Sequence, residues 1–108
     1  MHVFERVLQE RADQLAERVV KEAGLTPREA RLFVERAGSD LLASYRWQAH
    51  TLSELDISSP DLVRSLLSAA RAKWIATEVG LSQRRAWDGL RTLVPAVVQD
   101  AAGRSPGH

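Results

Sequence analysis

Apolar residues recur at three- and four-residue steps from the start of the chain: Val3, Phe4, Val7, Leu8, Ala12, Leu15, Ala16, Val19, Val20 and Ala23. At 3.6 residues per turn this spacing lines one side of a helix, and it predicts an unbroken helix over 3–23. On the opposite side Arg6 and Glu10, Glu17 and Lys21, and Arg18 and Glu22 stand four apart, where opposite charges meet and add about 0.2–0.5 kcal/mol per pair. Gly24 follows the stripe directly, in the place where a left-handed backbone stops a helix without a Cβ clash. Thr26-Pro27-Arg28-Glu29 then supplies a capping threonine, a proline for the first turn and a glutamate three after the cap, so a second helix begins at 27. It turns Ala30, Phe33, Val34 and Ala37 inward. Gly38-Ser39-Asp40 offers a stop and a new cap, which predicts a third helix over about 40–52 carrying Leu41, Leu42, Tyr45 and Trp47.

Polarity rises through Thr51, Ser53, Glu54 and Asp56 into a connector around Ser58 and Ser59. Ser59-Pro60-Asp61 repeats the cap-then-proline signal. Leu62, Val63, Leu66, Leu67, Ala70, Trp74, Ile75 and Val79 form a second long stripe that stops at Gly80. Ser82 caps the helix after it, which holds Ala86, Trp87, Leu90, Leu93 and Val94. Pro95 falls inside this pattern, and its ring would press on the carbonyl four residues back, so a kink or restart is expected there. Ala96 to Ala102 completes the fold, and residues 103–108 read as a loose tail.

Sliding the chain along itself by 56 residues lays Val19-Val20-Lys21-Glu22-Ala23-Gly24-Leu25-Thr26 on Ile75-Ala76-Thr77-Glu78-Val79-Gly80-Leu81-Ser82. Ala30 then falls on Ala86, Val34 on Leu90, Gly38-Ser39 on Val94-Pro95, and Leu41-Leu42 on Val97-Val98. Glycine, cap, core and break coincide, so the chain reads as two copies of a helix-glycine-helix unit, about 3–52 and 60–102. Neither copy can cover its own apolar stripe, and a shared core follows. The expected fold is all-α: one domain over 1–102, a compact bundle of about six helices, with Gly24, Thr26, Gly80, Ser82 and Pro95 marking its corners and breaks.

Composition narrows the classes. The 108 residues suffice for one core, and 44% hydrophobic with 27% charged residues is a globular balance. With no cysteine, disulfides, thiolate nucleophiles and thiolate metal sites are excluded. No apolar run approaches the roughly 20 residues of a membrane span, so a cytoplasmic protein without membrane contact is expected. Residues 1–56 carry 8 basic and 10 acidic side chains and 57–108 carry 7 and 4, giving −2 and +3. That is a mild asymmetry and a weak argument for a nucleic-acid partner.

Site chemistry is sparse. His2 and His108 are terminal, and His50 has one ligand-type neighbour at helical spacing, Glu54. One His-Glu pair is a poor metal site, and a lone helical histidine is most often a surface residue. The carboxylates mostly alternate with basic partners, as on a solvated face. There is no nucleophile motif and no glycine-rich phosphate loop. No enzyme activity, metal or cofactor is expected.

Two resemblances cover the second unit. The run Ile75-Ala76-Thr77-Glu78-Val79-Gly80-Leu81-Ser82-Gln83-Arg84-Arg85-Ala86-Trp87 resembles a helix-turn-helix. That resemblance implies a second helix lying in the major groove, with Gln83, Arg84, Arg85 and Arg91 as DNA-contacting residues. Asp88 would oppose phosphates, Trp87 would be an odd residue to leave in water, and the preceding helix is long for the motif. Separately, Gly80-Leu81-Ser82, Ala86, Leu90, Leu93-Val94-Pro95 and Val97-Val98 resemble the YidB-like family of small bacterial proteins over residues 80–98. The first copy follows in outline over 24–42, with Ser39 in the place of the proline. This second resemblance implies an all-helical bacterial protein and brings no catalytic residues.

The aromatic residues give the leading expectation. Tyr45-Arg46-Trp47 occupies adjacent positions about 100° apart around a helix, so the three cannot share one buried face. Tryptophan, tyrosine and arginine are enriched at the energetic centres of protein interfaces, although tryptophans in small domains usually fill cores. The sequence therefore reads first as a non-enzymatic interaction or self-association module, a homo-oligomer or partner-binding bundle, using Tyr45, Arg46, Trp47, Arg84, Trp87 and Arg91. DNA binding through the second unit is the alternative, and a small molecule held between the units is a third class.

Overall fold

A computed structural model of the chain describes residues 3–51 and 60–104, and side chains over 5–47 and 62–103. These residues form six helices and no strand: α1 (Val3–Glu10), α2 (Ala12–Ala23), α3 (Pro27–Thr51), α4 (Pro60–Leu66), α5 (Ala69–Val79) and α6 (Gln83–Arg104). The fold is an all-α bundle, as the periodicity predicts. Helix α6 lies at its centre, packed by α1, α2 and α5. It buries Ala86, Leu90, Leu93, Val94, Ala96, Val97, Val98 and Ala101. Ala30, Phe33, Ala37 and Leu41 of α3, Val7 of α1, Val19 of α2, Leu66 of α4 and Ile75 of α5 are fully buried against it.

Both glycine corners form as the sequence predicts. Gly24 has φ +73° and donates its N–H to the Val20 carbonyl. Gly80 has φ +82° and donates to Ala76. A Cβ is disfavoured in this left-handed region, which is why glycine stands at both. The capping box closes reciprocally on α3: the Glu29 N–H donates to Thr26 Oγ1 at 3.2 Å, and the Thr26 N–H donates to Glu29 Oε1 at 2.9 Å. On α6 the Arg85 N–H donates to Ser82 Oγ at 3.2 Å.

The helix breaks lie elsewhere than expected. The predicted helix over 3–23 is divided at Arg11 (φ −110°, ψ 16°), with Arg11 N–H bonded to the Val7 carbonyl and Leu15 N–H to the Arg11 carbonyl. The bonding thread survives the bend, so the apolar period stays in phase and conceals it. The second long stripe is divided at residues 67–68, where Ser68 caps α5 by accepting the Arg71 N–H at 3.1 Å.

Conversely, the break expected at Gly38-Ser39-Asp40 is absent, and α3 runs straight through it. Gly38 there permits a close approach: a Cβ on it would come 3.2 Å from Leu8 Cδ2. Asp40 turns to a partner on α5 instead of capping. Pro95 neither ends nor restarts α6. An internal proline costs roughly 3 kcal/mol, and burial of Leu93, Val94, Val97 and Val98 around it offsets that cost. Each half is thus short, medium and long in its helices, in place of one long helix and two short ones. Gly103 and Arg104, expected in a tail, belong to α6. The connector at 52–59, the cap at Ser59 and the chain end 105–108 lie outside the described residues.

Candidate interaction surface

The Tyr45-Arg46-Trp47 step divides as helix geometry requires. Tyr45 turns into the core at 5% exposure, and burial raises its phenol above its ordinary pKa. It supports α3 from within and is unavailable to a partner, a correction to its expected role. Arg46 is exposed and pairs with Glu5 of α1 at 2.6 Å. Trp47 presents 68% of its surface to solvent. It borders a shallow concavity of about 380 Å³ with Ala43, Ser44, Ser65 and Arg71.

Arg71 forms the inner wall of that concavity. Its Nε donates to Asp40 Oδ2 at 2.6 Å, and its two terminal nitrogens donate to the Leu66 carbonyl and to Ser44 Oγ. One guanidinium therefore joins α5, the end of α4 and the middle of α3. Its planar fork suits three partners in different directions. Trp74 of α5 is a second exposed large apolar residue, at 43%.

The α6 candidates have separate fates. Gln83 and Arg84 are exposed. Arg85 is engaged, donating from its terminal nitrogens to Glu29 at 3.0 and 3.4 Å and to the Gly24 carbonyl at 3.0 Å. Trp87 is half-buried against the core, which resolves the oddity of a tryptophan on a groove-reading face. Arg91 is exposed and lines a cleft between α2 and α6 with Arg18, Glu22, Asp88, Thr92, Pro95, Ala96 and Gln99. Arg18 and Glu22 pair across 3.4 Å within it. Trp47 and Arg91 thus border different concavities, and the structure does not gather the six predicted residues into one patch.

The sequence reading gave Arg71 no role, placed Asp40 at a cap and placed Trp74 in the apolar stripe. A signal for Arg71 exists: it stands four after Leu67 and four before Ile75, so a charged side chain occupies the phase of the buried stripe. Among the described residues no group of three His, Asp or Glu could hold a metal ion, and no helix is long and apolar enough to cross a membrane. The His50 side chain lies outside the described residues. No family model, curated protein or solved structure matches this chain.

Proposed function

We propose that the chain is a non-enzymatic interaction module that associates with a second copy of itself through the surface around Trp47. The observation that carries this reading is the 68% exposure of that indole on a helix whose other large apolar residues with described side chains are buried or half-buried. An exposed tryptophan leaves apolar area in water, and tryptophan anchors contribute heavily where interfaces exclude it. Ser44, Ser65 and Arg71 line the concavity beside the ring, giving it polar groups of the kind that rim interfaces. Light scattering at micromolar concentration tests the proposal: it predicts a dimer mass for the native chain and a monomer for Trp47→Ala, and a monomer in both overturns it.

DNA binding through α6 has less behind it. Arg84 and Arg91 are exposed, but Arg85 is bound to Glu29 and Gly24, and Glu22 and Asp88 place carboxylates beside Arg91. Retained duplex binding at ~50 mM salt that is lost on Arg84→Ala with Arg91→Ala would restore it.

We also read the chain as a doubled three-helix unit. The left-handed glycines, the caps, and the starts of α3 and α6 all recur 56 residues apart, and the helix breaks at Arg11 and 67–68 fall within a residue of the same interval. A bacterial, cytoplasmic protein of YidB-like type belongs to the same proposal, resting on the resemblance over 80–98.

A further inference from the structure

Two pairs of residues that meet between α3 and α6 are separated by the repeat interval itself. Glu29 Oε1 accepts from Arg85 at 3.0 Å, 56 positions away. One turn further on, the ring of Phe33 points at Gly89, so closely that a Cβ on Gly89 would sit 2.7 Å from Phe33 Cζ. In an assembly with twofold symmetry, a residue meets its own equivalent only at the axis. Two successive turns of α3 and α6 meet this condition, which places a local pseudo-twofold where their N-terminal halves cross.

We infer that Glu29 and Phe33 of the first unit, with Arg85 and Gly89 of the second, form a lock that makes each unit recognise the other and reject its own copy. The inference rests on the doubled-unit reading. Two first units paired in this way would set Glu29 against Glu29 and force two Phe33 rings into a gap with no room for a Cβ. Two second units would set Arg85 against Arg85 and leave a void between glycines. The mixed pair replaces repulsion with an ion pair and replaces collision or void with a knob in a hole. Selectivity of this kind needs such penalties on the wrong pairing as much as contacts in the right one. Arg85 strengthens the match by also donating to the Gly24 carbonyl at 3.0 Å. This face therefore fits a helix of the second unit's kind, carrying arginine and glycine four apart, and in the chain it is already occupied. Any association between copies must use another surface.

Denaturation midpoints of the full chain test the lock. Phe33→Gly should lower the midpoint by on the order of 10 °C or more, and Gly89→Phe at least as much. Phe33→Gly combined with Gly89→Phe should recover more than half of the summed loss, because knob and hole exchange sides and the helix content of glycine is unchanged. Glu29→Arg and Arg85→Glu should each lower the midpoint, and the combined charge swap should return close to the native value, since a glutamate at 85 can complete the box with Ser82. If the packing swap does not fold, the charge swap decides alone. Losses in the combined variants equal to the sum of the single losses overturn the lock. Light scattering on the same proteins reads self-association separately, so a monomeric chain with strongly coupled swaps rejects the association reading and leaves the lock standing.

Discussion

The Arg71 guanidinium meets the Asp40 carboxylate at 2.6 Å, 31 positions earlier in the chain, and only 11% of the arginine side chain is exposed. A charge so sheltered is tolerable because its donors are used on Asp40, Ser44 and the Leu66 carbonyl. Removing it strands an acid and a helix-end carbonyl together. Arg71→Met is expected to destabilise the fold by about 2–3 kcal/mol in urea denaturation, and Arg71→Lys to recover little of that, since an ammonium donates from one nitrogen and cannot span acceptors spread around a guanidinium fork. Native stability in Arg71→Met would show that this junction contributes little.

Two helical glycines of α6 should respond to alanine in opposite senses. A Cβ at Gly89 meets the Phe33 ring at 2.7 Å, whereas at Gly103 it meets nothing within 4 Å. Alanine gains up to about 1 kcal/mol of helix propensity over glycine. Gly103→Ala should therefore raise the denaturation midpoint, and Gly89→Ala should lower it despite the same gain, because Phe33 is fully buried and has little room to retreat.

Acid should loosen the corner at α3. The Thr26 N–H donating to the carboxylate holds Glu29 below its ordinary pKa; burial opposes this, and the Arg85 guanidinium adds to the lowering. A depressed carboxylate contributes stability that is present above its unfolded value and is lost as pH falls through the folded one. The midpoint of the native chain should thus fall more between about pH 6 and about pH 3 than that of Glu29→Gln, in which the site carries no titrating proton. Parallel pH profiles for the two proteins would remove Glu29 from the account.

Local signals proved legible where backbone chemistry has one strong solution. The glycine stops at 24 and 80, the Thr26–Glu29 box and the start of α3 at Pro27 all follow from residues within one turn. What escaped depends on contacts distant in sequence. Gly38 looks like a stop until Leu8 is laid upon it, Asp40 looks like a cap until Arg71 reaches it, and Pro95 looks like a break until its neighbours are buried. The site was less legible than the fold. A separation of two positions, about 200° around a helix, required Tyr45 and Trp47 to face apart, but nothing local said that Tyr45 would be the buried one.

Quenching of Trp47 fluorescence tests the association most directly. In a variant keeping that indole alone, with Trp74→Phe and Trp87→Phe, iodide should quench strongly in dilute solution and progressively less as protein concentration rises, because the second copy covers the ring. Quenching that stays at its dilute value up to the highest concentration reached would contradict a self-association surface at Trp47.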